Sequence, residues 1–191
     1  MFKNIFLASY PKSGNTWLRS IILSSLQQNN IINIKDLSKI RLLSDKMNFT
    51  SFKNKIYDKK GLIDYDWMSK NLTLCQKKLN EKTKYNFFFK THSVRHKSFT
   101  NKTVNAGFIY IVRDPRDIVV SLSNFTGINL DEAINQIVFN KQLMTNANGA
   151  RELVSNWDLN IKSWLEYKSV PSLFIRYEDL LFKSNNTILK I

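Results

Sequence analysis

Four short apolar runs, three of them beside a proline or glycine, limit the folds open to this chain more than any other feature. Ile5–Ser9 runs into Pro11 and Gly14, Phe108–Val112 lies between Gly107 and Pro115, and Leu173–Tyr177 follows Pro171. The fourth run, Tyr85–Lys90, is aromatic. Five glycines and three prolines serve all 191 residues, so their gathering at these runs marks real breaks. None of the runs alternates strictly, which suits strands covered on both faces in a parallel sheet. Helical patterns lie between them. Trp17, Leu18, Ile21, Ile22 and Leu26 recur at three- and four-residue steps, with Thr16 as a candidate N-cap. Ile118, Val119, Leu122 and Phe125 do so after Pro115, a residue suited to a first helical turn. Asn129 and LDEAINQIVF make a third helix, with Asp131 and Glu132 where the dipole favours negative charge. Leu153, Trp157, Ile161, Trp164 and Leu165 make a fourth, and the seven-residue spacing of the two tryptophans points to core packing. Alternating strands and helices predict an α/β fold, a central parallel sheet flanked by helices in three layers. Ile31–Lys84 is mixed and polar, a place where such folds put a lid or variable insertion.

A chain of this length reads as one domain, burying about two-thirds to three-quarters of the surface its unfolded form exposes. Its 43% hydrophobic and 13% aromatic content supplies a core and argues against wholesale disorder. Cys75, the single cysteine, excludes an internal disulfide and fits a reducing compartment. No apolar run approaches the roughly 20 residues of a membrane span, and a secretory h-region is not expected in MFKNIFLASY, whose short apolar run leads straight into the Pro–Lys–Ser–Gly turn. The expectation is a cytoplasmic protein with no membrane partner. The formal charge of +14, from 29 basic and 15 acidic residues, favours anionic partners, yet a bias toward Lys, Asn and Ile explains it equally well. The lysines are scattered, and no zinc-finger spacing, RNP-like segment or helix-turn-helix supports a nucleic-acid partner.

The first turn, YPKSGNTW, carries chemistry. A strand turning tightly into a helix gathers backbone N–H groups into a concavity, and the helix dipole adds positive potential. Lys12 contributes a full charge, Ser13, Asn15 and Thr16 hydrogen-bonding side chains, and Gly14 close backbone approach, so the turn suits phosphate or sulfate. The pattern G-x-x-x-x-G-K-[ST] is not met, since Asn15 stands where its lysine belongs and no magnesium-holding Ser/Thr follows one after a glycine. Taken alone, such a corner also serves as plain architecture. Farther on, Arg113 ends a strand beside a helix start, placed for bidentate contact to a phosphate or for a solvated ion-pair turn with its neighbours. In FFFKTHSVRH, His92 follows a strand, and an imidazole accepts a proton near neutrality.

Together these segments resemble the sulfotransferase family. YPKSGNTW is similar to its phosphosulfate loop, RDPRDIVVS to its signature R-[ND]-P-[KR]-D-x-x-V-S, KTH to its K-[TS]-H segment, and RYED to its Y-E-D strand end. The resemblance implies one P-loop-like domain over residues 1–191 that moves a sulfuryl group from 3'-phosphoadenosine 5'-phosphosulfate to an acceptor hydroxyl or amine without a metal. It implies that Lys12, Ser13, Gly14, Asn15, Thr16 and Trp17 hold the donor's phosphosulfate and adenine side. Arg113 and Ser121, eight residues apart, would bind the 3'-phosphate, and Tyr177 would lie against the adenine. His92 is the implied base, Lys12 and Lys90 the implied stabilisers of the leaving oxygen. His96 has no counterpart and reads as a surface residue. The family's R-K-G-x-x-G-D-W segment does not occur, so the expectation is a C-terminally truncated member in which binding without turnover is the alternative, a P-loop-type kinase being more remote. The acceptor, a small molecule or glycan, is shaped by Ile31–Lys84 and Ser123–Ala150, and nothing in the sequence fixes it or the oligomeric state.

Overall fold

The computed structural model describes residues 3–27, 32–139, 143–144 and 151–191. Strand β1 (Asn4–Ser9) leads into helix α1 (Asn15–Leu26). Two 3-10 segments (Ile34–Lys39 and Lys46–Phe52) and helices α2 (Tyr65–Lys70) and α3 (Leu72–Lys82) fill the region the sequence left unassigned. Strands β2 (Phe87–Thr91) and β3 (Asn105–Val112) follow, then helices α4 (Pro115–Thr126) and α5 (Leu130–Val138). A two-residue pair, β4 (Leu143–Met144) and β5 (Glu152–Leu153), precedes α6 (Trp157–Leu165), β6 (Ser172–Arg176), α7 (Tyr177–Phe182) and α8 (Ser184–Ile188).

The main sheet has the order β2-β1-β3-β6 and every pairing in it is parallel. Its strands are covered on both faces, as continuous apolar runs require. Phe6, Ala8, Phe89, Phe108 and Tyr110 face Trp164 of α6 and Met68, Leu72 and Cys75 of α2 and α3. Leu7, Ile111 and Ile175 face Leu18, Ile22 and Leu23 of α1 and Leu180 of α7. Alternate residues of one strand thus feed two cores, giving the expected three layers. Trp164 is fully buried, and its indole N–H donates to Ser93 O at 2.9 Å. Trp157 packs instead into a third cluster, with Tyr10, Ile118 and Ile137, so both tryptophans are core residues of different cores. At Gly107 a Cβ would lie 3.0 Å from Pro171 O, which explains the glycine opening the central run beside a proline.

Three local expectations shift. Helix α1 begins at Asn15, with Gly14 rather than Thr16 at its cap, because Lys12 (φ 65) and Gly14 (φ 96) both take left-handed conformations and coil the turn one step earlier. Leu153 lies in β5 rather than in α6, since Asn156 caps that helix by accepting from Leu159 N at 2.9 Å. Phe125, placed by periodicity on the buried face of α4, is 74% exposed in the helix's last turn, ahead of the left-handed Gly127 cap. Asp114 caps α4 with Pro115 at its first position, and Asn129 and Glu132 cap α5 reciprocally, as their spacing suggests. Among the described residues no helix is long and apolar enough to cross a membrane.

Candidate active site

The carboxyl ends of the parallel strands meet at one edge of the sheet, the usual position of ligand sites in open α/β folds. From Ser9 the chain turns through Lys12 and Gly14 into α1, and no side chain caps that helix. Its first N–H groups are therefore left for a ligand. A Cβ on Gly14 would sit 2.6 Å from Tyr177 Cδ2, so glycine here answers both a left-handed φ and a ring pressed on the backbone. Trp17 meets Tyr177 edge-on, with centroids 5.7 Å apart. Arg113, one residue beyond β3, donates to Lys12 O at 3.0 Å and stacks its guanidinium 4.3 Å from the Tyr177 ring centroid. The turn carrying it is tied down by Asp114 N, which donates to Glu178 Oε1 at 2.9 Å. Arg113 Nε is buried without a hydrogen bond among the described residues, and Asp117 Oδ2 lies 3.9 Å from it.

Lys12, Gly14, Asn15, Thr16, Trp17 and Tyr177 line one open cleft of about 760 Å³. Lys90, His92, Arg113 and Ser121 line the same cleft, so residues more than a hundred positions apart come together. Ser13 does not line it: the left-handed Lys12 turns that side chain under the loop, where it is 1% exposed with an unpartnered Oγ. Asn15 reaches inward as well. Its Nδ2 donates to Leu7 O at 2.9 Å and Ser9 Oγ at 3.2 Å, fastening the end of β1. Lys12 Nζ rests 3.7 Å from the centroid of the exposed Phe125 ring, which lines the cleft too.

His92 Nδ1 lies 2.9 Å from Ser9 O and 3.1 Å from Ser9 Oγ. A carbonyl only accepts, so Nδ1 carries the proton and Nε2 holds the lone pair. Burial, then the charge of Lys90, pulls the imidazole pKa from 6.5 to about 3, against the opposing bond to Ser9. The ring is neutral near neutral pH. Lys90 itself is lowered, by burial first and then by Arg19, with Glu152 opposing.

Glu152 is a cleft residue that sequence reasoning missed. It is 7% exposed, and its Oε1 accepts from Thr91 Oγ1 at 2.7 Å and His92 N at 3.2 Å. Burial pushes its carboxyl pKa up. A lone acidic residue before an apolar stretch was its only signal in the sequence. His96, expected at the surface, is half-buried 5.9 Å from the Phe99 ring, because the turn it starts folds back onto α3 through Thr73 and Ser98. Among the described residues no group of three or more His, Cys, Asp or Glu is placed to hold a metal.

A parallel sheet with an uncapped helix start behind a left-handed glycine, and an arginine and an imidazole in the same cleft, define an α/β protein of P-loop-like architecture. The chain belongs to the sulfotransferase family: the model of the sulfotransferase domain matches residues 2–191. Among curated proteins it is similar to flavonol 3-sulfotransferase of Flaveria bidentis, 24% identical over 183 residues, covering 93% of this chain and 51% of that protein. Among solved structures it is similar to mouse sulfotransferase SULT7A1 complexed with PAP, with a TM-score of 0.57 and 21% identity over 98% of this chain and 57% of that one. Retinol dehydratase in complex with retinol and PAP gives a TM-score of 0.57 and 20% identity, covering 98% of this chain and 58% of that one. At these identities the structural likeness establishes the fold, and the chain spans about half the length of these relatives.

Proposed function

We propose that this chain carries the donor site and the base of an enzyme that moves a sulfuryl group from 3'-phosphoadenosine 5'-phosphosulfate to an acceptor hydroxyl or amine. One observation carries the reading: His92 lines the same cleft as Lys12, Gly14, Asn15 and Thr16 with its Nδ1 against Ser9 O, which leaves Nε2 as its basic nitrogen. The acceptor oxygen attacks sulfur, the bond from sulfur to the bridging phosphate oxygen breaks, and the acceptor proton passes to Nε2. Lys12 and Lys90 stabilise the charge growing on the leaving oxygen. Arg113 and Ser121 hold the 3'-phosphate, and Trp17 and Tyr177 flank the adenine. The residues fit such a donor, because Arg113 Nε makes no hydrogen bond among the described residues, only a 3.9 Å ion pair with Asp117, and no side chain caps α1, so both offer donors to an anion.

A base whose pKa lies near 3 is a weak one at neutral pH. An anionic donor in this cleft offsets the positive field of Lys90 and Arg19, raising the proton affinity of His92 when transfer needs it. The two crystallised relatives named above were solved with PAP, the desulfonated donor, which supports the choice of nucleotide. Calorimetry tests the reading. PAP should bind without magnesium and more tightly than ATP, whereas magnesium-dependent ATP binding with no response to PAP would favour a kinase.

A further inference from the structure

Beside the cleft lies a smaller cavity of about 230 Å³, and Glu152 forms the wall common to both. Three observations single this cavity out. Ser44 lines it, is 2% exposed, and has an Oγ without a hydrogen-bond partner among the described residues. Buried hydroxyls are nearly always paired, because an unpaired one has given up its bonds to water for nothing. Glu152 is a buried carboxylate with no ion pair within 4.0 Å among the described residues: Lys90 acts on it only at longer range, and the neighbouring Arg151 turns to Asp66, 3.5 Å away. Besides these and other polar groups, Leu72 and Phe99 give the lining apolar surface.

We propose that this cavity is an acceptor subsite for one neutral, hydroxyl-bearing ring, a sugar or cyclic polyol unit of the molecule that receives the sulfuryl group. Glu152 accepts a hydrogen bond from one ring hydroxyl and Ser44 Oγ exchanges one with another, while Leu72 and Phe99 cover the ring's apolar side. The volume is below the roughly 300 Å³ at which pockets begin to take drug-sized ligands, which restricts the guest to a single ring. Arg151 and Asp66, which also line the cavity, pair with each other, so the described lining offers no unpaired Lys or Arg to hold a carboxylated or phosphorylated ring. With Glu152 bordering both spaces, the rest of the acceptor would extend past it into the His92 cleft, so this inference rests on the sulfuryl-transfer reading of that cleft.

Two acceptors with one phenolic hydroxyl each test it: 4-methoxyphenol and 4-hydroxyphenyl β-D-glucoside, of which only the second has a ring for the cavity. The full chain should favour the glucoside about tenfold or more in kcat/KM. Ser44→Leu, which fills the cavity, should bring that ratio to about one. Ser44→Ala should lower it about three- to tenfold, the value of one hydrogen bond, without lowering Tm, because the hydroxyl has no protein partner to lose. A wild-type ratio near one, or a ratio that Ser44→Leu leaves unchanged, overturns the proposal. Saturation-transfer NMR with methyl β-D-glucoside reads the same subsite without turnover: signals present in the wild type and lost in Ser44→Leu support it, and their absence in the wild type overturns it. PAP calorimetry on the same samples reports separately whether the donor reading has failed.

Discussion

Replacing His92 by Gln tests whether the imidazole is held neutral in the folded protein. Its pKa falls from 6.5 to about 3, chiefly by burial and then by Lys90. The folded chain therefore binds a proton here less readily than the unfolded chain. The stabilisation from this group is complete above pH 6.5 and is lost as the pH falls toward 3. Integrating the proton-binding difference between pH 7 and pH 5 gives about 2 kcal/mol of lost stability, with a limiting slope of about 1.4 kcal/mol per pH unit. Gln fills similar space and does not titrate, so His92→Gln should lack this component. Other titrating groups, His96 with the same sign and Glu152 with the opposite one, remain in both proteins and cancel in the comparison. Urea denaturation of both at pH 7 and pH 5 measures the double difference. Parallel losses, agreeing within about 0.5 kcal/mol, would refute the argument that burial and Lys90 keep the ring uncharged.

Lys12→Ala removes the cation of the turn, and calorimetry should show PAP affinity lower by about 10- to 100-fold, the range for a charge-assisted hydrogen bond. Arg113→Lys keeps the charge but loses the planar fork and the stacking on Tyr177, so PAP affinity should fall about tenfold or more in the same titration. Gly14→Ala puts a Cβ against Tyr177 at a left-handed φ, and thermal unfolding should show a loss of about 1–3 kcal/mol. Gly14→Ala with Tyr177→Ala should recover part of that loss relative to Gly14→Ala alone by relieving the clash.

The parts of the fold legible in the sequence are those where breakers and periodicity coincide. Pro11, Gly14 and the pattern from Trp17 to Leu26 placed the first strand, turn and helix, and Pro115 placed the start of α4. Strands β2 and β6 lie within two residues of their expected ends. The 32–84 region was illegible because two 3-10 segments and two short helices leave no sustained 3.6-residue period. Motif residues in the cleft were legible one by one, whereas contacts made only by folding were not. Glu152 reaches Thr91 from 61 positions away, Asn15 turns under its loop to hold Leu7 and Ser9, and Lys12 finds Phe125 on another helix. Residue type indicates what a side chain is able to do, and only packing shows which partner takes it first.

The central claim is that His92 accepts the acceptor's proton in a cleft that binds the donor independently of it. The most direct measurement pairs transfer of labelled sulfuryl from 3'-phosphoadenosine 5'-phosphosulfate with the PAP dissociation constant, for the wild type and His92→Ala. The account predicts turnover at least about 10²-fold lower, the usual share of a general base, with PAP affinity within about twofold of wild type. Equal losses in both, or turnover that survives the substitution, would contradict it.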